Sequence, residues 1–151
     1  MKVIEDAAID SEYVEVLLGR GSGEAGSLDC FQLIEAGFKL TDVIQVLMSL
    51  GLLKNHHVMK QIIGMTLPTL QRKATDPSKT LDSTHSERLF RFAALTTRAE
   101  EVFGDKPSAL DWIVKPALGL EGYSPLDLLA NSVGYNIVLT FLGRIEYGVY
   151  H

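Results

Sequence analysis

Nucleophilic or metal chemistry in this chain would have to be built from one cysteine and four histidines, and neither set has a workable spacing. Cys30 falls on the apolar face of a helical stretch, with no sequence neighbour suited to ionise its thiol, which is the setting of a buried structural cysteine. His56 and His57 are adjacent, so a helix turns them to different faces, and His85 stands alone near a helix start. No regular metal-ligand spacing results. Glu100 and Glu101 fall on the solvent side of an amphipathic helix. No glycine-rich phosphate loop follows a strand. The chain is therefore expected to be no enzyme, with no catalytic residue, no metal ligand and no cofactor.

Charge is the more informative chemistry. The net charge of −5 is uneven along the chain: residues 54–98 hold eight Lys/Arg against three Asp/Glu, a local +5, between acidic flanks of −6 and −4. Within this block, Asn55–Lys73 is organised as a helix-turn-helix: a first helix ending at Gly64, a tight turn, and a second helix opening with polar groups. Met59, Ile63, Met65 and Leu70 would pin the two helices. Thr69, Gln71, Arg72 and Lys73 would then face outward, where glutamine and arginine can make paired hydrogen bonds to base edges in a major groove. Lys60, Thr66 and Lys73 suit phosphates. The expected ligand is DNA, read by a homodimer on paired half-sites, because one such unit binds weakly alone. Phe92, Leu95 and Val138 are the candidate dimer contacts.

The elements that must carry these residues are helical throughout. At 151 residues and 46% hydrophobic, the chain is long enough for one domain or two small ones. The glycine-rich GRGSGEAGS closes a segment, residues 1–26, expected to be a flexible extension. Beyond it, Phe31, Ile34 and Phe38 recur at helical spacing. Thr41, Asn55 and Thr66 are the candidate N-caps of three short helices, and Pro68 sits in a first turn where its missing N–H matters little. A polar linker with Asp76–Pro77 precedes the longest helix, which begins near Ser83 and stops at Gly104. Lys106–Val114 follows, ended by Pro116. Ser124-Pro125-Leu126-Asp127 combines cap, first-turn proline and acidic third position, and a last helix runs over about Val133–Tyr147 before Gly148. Phe103, Trp112 and Phe141 are expected in the core. The fold class is all-α, with a helix-turn-helix domain over 27–80 and a second helical domain over 81–151. The longest apolar stretches, about ten residues and interrupted by charges, are too short for a membrane span. The acidic N-terminus is unlike a signal peptide, so a cytoplasmic protein is expected.

The C-terminal half carries a specific resemblance. Arg88 with Arg91, Ala99–Gly104, Trp112 with Pro116, Ser124–Leu129, Gly134, and Leu142–Gly148 follow one another as in the toxin-binding domain of the Xre/ParS/MbcA family of antitoxins. Upstream, Leu67–Lys73 is similar to the family's DNA-reading helix. Pro68 departs from the family's basic residue there, and Pro116–Gly119 lacks the asparagine after its proline. The resemblance implies an Xre-like DNA-binding domain over 27–80 and a toxin-binding and dimerisation domain over 81–151. It further implies a cognate RES-domain toxin, an enzyme that consumes NAD, as partner, and repression of the chain's own operon.

The surface the resemblance indicates is Arg144, Tyr147, Gly148, Val149, Tyr150 and His151. A physical reason points the same way. Gly148 lets the chain leave the helix, the tyrosines supply apolar contact, and a terminal carboxylate would suit a site built for a pyrophosphate. The alternative is a stand-alone helix-turn-helix regulator whose C-terminal domain only dimerises.

Overall fold

The structure, a computed structural model, describes Tyr13, Leu17 and residues 27–148. The expectations for the rest of residues 1–26 and for Val149, Tyr150 and His151 fall outside the described residues. Residues 27–148 form eight α-helices, and no strand occurs among the described residues, so the fold is all-α. Among the described residues the one extended pairing is an isolated antiparallel bridge between Lys39 and Thr80. No described helix is long and apolar enough to cross a membrane.

The chain divides into two compact units, one ending at Ala93 and the other beginning at Ala94. That division falls inside a helix, not at the 80/81 boundary expected from the polar linker. The reason is that the first turns of the long helix are tied into the first unit. The buried Ser86 hydroxyl accepts from the Phe38 amide (3.1 Å) and donates to the Leu81 carbonyl (3.2 Å), and Arg88 donates to the Gln61 carbonyl (2.8 Å).

The first unit contains α1 (Ser27–Ala36), α2 (Leu40–Ser49), α3 (His56–Ile63), α4 (Leu67–Ala74) and the start of α5 (Ser83–Phe103). Tyr13 and Leu17 are also helical and buried within it. Leu40, Val43, Val46 and Leu47 bury one face of α2, which packs on α4. Cys30 is buried, as expected, but Phe31 is 58% exposed. α2 begins two residues earlier than Thr41 suggested. Its N-cap is Lys39, whose side chain makes no capping bond, and Thr41 lies within the helix.

The second unit holds the rest of α5, then α6 (Lys106–Val114), a 3₁₀ turn at Leu118–Leu120, α7 (Pro125–Leu128) and α8 (Ser132–Glu146). α7 touches both α6 and α8. Its start is the capping box expected: the Ser124 hydroxyl accepts from the Asp127 amide at 3.1 Å and the Asp127 carboxylate accepts from the Ser124 amide at 3.3 Å. Gly134 is required at its place, because a Cβ there would collide with the Leu128 carbonyl. Trp112 lies between Phe103 and Phe141, with ring centroids 5.3 and 6.4 Å away, within the range where aromatic pairs attract. Leu95 and Val138 are wholly buried here, as Phe92 is in the first unit. All three are core residues and cannot serve as the dimer contacts expected of them.

Candidate functional site

Two surfaces carry the residues singled out from sequence. The first is built by α3, a tight turn and α4. Asn55 caps α3 by accepting the Val58 amide at 3.2 Å, and Gly64 ends it in the left-handed conformation, φ 73°. Met59, Ile63 and Leu70 are fully buried, as the pinning role requires, whereas Met65 is half-buried. With Leu70 turned inward, Gln71, Arg72 and Lys73 are exposed on α4 and Lys60 on α3, while Thr69 is half-buried. Thr66 is exposed at the N-cap of α4, but its hydroxyl bonds the Thr69 hydroxyl (3.1 Å) and caps no backbone amide. The structure therefore gathers all six candidates on consecutive elements of one unit.

The turn is braced from α5. Asp82 caps that helix by accepting the His85 amide at 2.8 Å, and it pairs with His85 Nδ1 at 2.7 Å. Burial pushes the Asp82 carboxyl up, but the hydrogen bonds from His85 outweigh it and hold the group below its ordinary value. The His85 ring lies directly over Gly64, 2.5 Å from where a Cβ would stand. His85, weighed in the sequence only as a metal ligand, is a brace for the turn. No cluster of three metal-ligating side chains occurs among the described residues.

The second surface lies on α8. Its residues Val133, Ile137, Thr140 and Arg144 share one helical face. With Gly119, Leu120, Asn136 and Phe141 they line an open groove of about 440 Å³. Gly119 lies against the Phe141 ring, where a Cβ would clash. Val133 is 69% exposed, Leu118 99% and Tyr147 81%. Val133 and Ile137 thus leave apolar side chains open on this face.

The end of α8 is held by a pair absent from the sequence expectations. Arg98 makes a forked bond to Glu146, with Nη1 donating to Oε2 at 2.8 Å and Nη2 to Oε1, and also reaches Glu101 at 3.1 Å. The Arg98 bonds hold the Glu146 carboxyl below its ordinary value. The signal was there in the sequence: an acid in a last helical turn opposes the helix dipole and needs a partner. Of the expected contact residues, Arg144 and Tyr147 are exposed and Gly148 takes a left-handed φ of 70°.

Residues 98–148 match the family model of the antitoxin Xre/MbcA/ParS C-terminal toxin-binding domain. The match opens at Arg98 and closes just beyond Glu146, so the forked pair brackets it. Over its greater length the chain is 30% identical to an antitoxin Xre of Yersinia enterocolitica, across 123 residues that cover 76% of this chain and 82% of the relative. The chain belongs to the Xre family of antitoxins. An antitoxin Xre of Photorhabdus laumondii is 30% identical over 90 residues, 59% of this chain and 60% of that one. One of Pseudomonas putida is 38% identical over 63 residues, 42% and 40% of the two chains. The antitoxin is thus one half of a toxin–antitoxin system, and the α8 groove lies in the part that matches a toxin-binding domain.

Proposed function

We propose that the antitoxin neutralises a RES-domain toxin, an enzyme that consumes NAD, and represses its own operon by binding operator DNA. The observation that carries the first half is the coincidence of the toxin-binding match, residues 98–148, with an apolar face left open on α8. The toxin's class rests on the ordered resemblance of Arg88 through Gly148 to partners of RES enzymes. In this reading Arg144, Tyr147, Gly148, Val149, Tyr150 and His151 enter or cover the toxin's active-site cleft. The same match favours an antitoxin over a stand-alone regulator that only dimerises.

The second half is supported by Lys60, Thr66, Gln71, Arg72 and Lys73, exposed on an α3–turn–α4 unit that turns Leu70 inward, with Thr69 half-buried beside them. Gln71 and Arg72 would read base edges; Lys60, Thr66 and Lys73 would meet phosphates. Two copies would occupy paired half-sites.

Co-expression with the product of the adjacent gene tests the pairing. We expect the two to co-purify and cellular NAD to be preserved, and NAD loss undiminished by the antitoxin overturns the reading. For the DNA half, the R72A/K73A double substitution should abolish an electrophoretic shift of the upstream duplex while leaving neutralisation intact. An unaltered shift would remove α4 from the interface.

A further inference from the structure

We infer that Lys79, which lies outside the helix-turn-helix, binds a DNA backbone phosphate together with Lys73, in a cleft at the C-terminal end of α4. This rests on the DNA-binding reading above and extends its footprint to the segment after α4. The cleft holds about 390 Å³ and is lined by Leu40, Met65, Lys73, Lys79, Thr80, Leu81 and Asp82. Lys73 and Lys79 reach its wall from different backbone segments that the fold brings together. After Lys73 the chain reverses through two hydrogen-bonded turns: the Asp76 amide donates to the Lys73 carbonyl (3.3 Å) and the Lys79 amide to the Asp76 carbonyl (3.1 Å). The Asp76 carboxylate fastens the reversal by accepting from the Ser78 amide (2.9 Å) and hydroxyl (2.7 Å). Lys79 is then pinned on its far side. Its carbonyl accepts the Leu40 amide (3.2 Å), the Leu81 amide donates to the Phe38 carbonyl (2.8 Å), and Leu81 and Leu40 are buried.

Two like charges sharing a cleft repel, so the fold gains nothing electrostatically by placing them there. An anion between them reverses the sign. Among the described residues no ion pair joins either lysine to a carboxylate. Asp82, the carboxylate on the wall, is committed to the His85 amide and ring. Asp76 is held below its ordinary value chiefly by the Ser78 hydrogen bonds, with the charge of Lys79 a smaller contribution and no direct ion pair between them. A nucleic-acid phosphate is the anion that fits, because Arg72 and Gln71 stand exposed on the same helix and residues 54–98 carry the chain's only basic excess, +5. A duplex read by α4 brings its backbone past the helix's end.

The test uses the full chain with two duplexes, the sequence upstream of its own gene and a scrambled duplex of the same length. Affinities are measured across a series of salt concentrations. Each phosphate contact releases counterions and adds about 0.9 to the slope of log K against log[salt]. K79Q should flatten that slope by about 0.9, weaken both duplexes alike and leave their affinity ratio unchanged. K73Q should do the same, and K79R should retain the wild-type slope. Thermal melting checks that the variants stay folded. Wild-type binding with an unchanged slope in K79Q overturns this inference alone, as does a changed affinity ratio. No binding of either duplex by the wild type overturns it together with the DNA-binding reading.

Discussion

Replacing Gly64 by alanine would meet two separate penalties, and they can be separated by experiment. The left-handed φ of 73° costs an L-residue roughly 1–2 kcal/mol. In addition the new Cβ would press on the His85 ring, which cannot swing freely because Asp82 holds its Nδ1 at 2.7 Å. G64A should therefore lose more stability than the conformational term alone, and adding H85A should restore the excess but not the remainder. Chemical denaturation of the two single variants and the double measures this. Equal losses in G64A with and without His85 would remove the histidine from the account. A second residue-scale expectation concerns pH. Glu146, held below its ordinary value of 4.5 chiefly by hydrogen bonds from Arg98, adds stability that is fully present above that value. The contribution is lost as pH falls through the lowered folded value. E146Q should thus show a shallower loss of stability with acid than the wild type, by a small margin because the pair is partly solvated. Parallel curves for the two proteins would show that the pair does not couple to folding.

Helix ends divide into those legible in the sequence and those that are not, and the division has a physical cause. Ser124 and Asp127, Asn55 and Gly104 act through groups three or four residues away, so spacing alone reveals them. The start of α2 escaped because Lys39 caps with backbone only, whereas α5 begins at Ser83 as expected, with Asp82 before it as the cap. The helical spacing of Phe31, Ile34 and Phe38 marks an apolar stripe without saying what covers it, and Phe31 is exposed. Arg98 with Glu146, and Ser86 with Phe38, join residues 48 apart, beyond any local pattern. The candidate reading face on α3 and α4 was legible for the local reason that Leu70 faces inward and its neighbours outward. The α8 groove was not, since Gly119 and Phe141 come from distant stretches. The caps also differ in expected worth. S124A should cost about 1 kcal/mol, since it strands the Asp127 amide. T66A should cost less, because that hydroxyl bonds Thr69 and no helical amide. Equal losses in thermal or chemical melts would contradict this ordering.

At the scale of the whole molecule, the proposed jobs fall on different stretches of one chain, so they should be separable by substitution. Deleting residues 149–151 leaves the exposed α8 face, including Val133 and Ile137, for binding, while removing Tyr150 and Val149. Burying one tyrosine contributes about 2 kcal/mol, so its loss should weaken the toxin complex by about 30-fold without abolishing it. Inhibition should suffer more than binding if this segment occupies the cleft, because a complex held through α8 alone leaves the site open to NAD. The expected pattern is a truncated antitoxin that still co-purifies with its toxin, still shifts the upstream duplex, and fails to prevent NAD loss. R72A/K73A should show the converse: a lost shift with NAD protected. The decisive measurement is cellular NAD with toxin and truncated antitoxin co-expressed. Full protection would mean that the segment folds against its own chain or stays clear of the cleft, and that α8 blocks the toxin by itself.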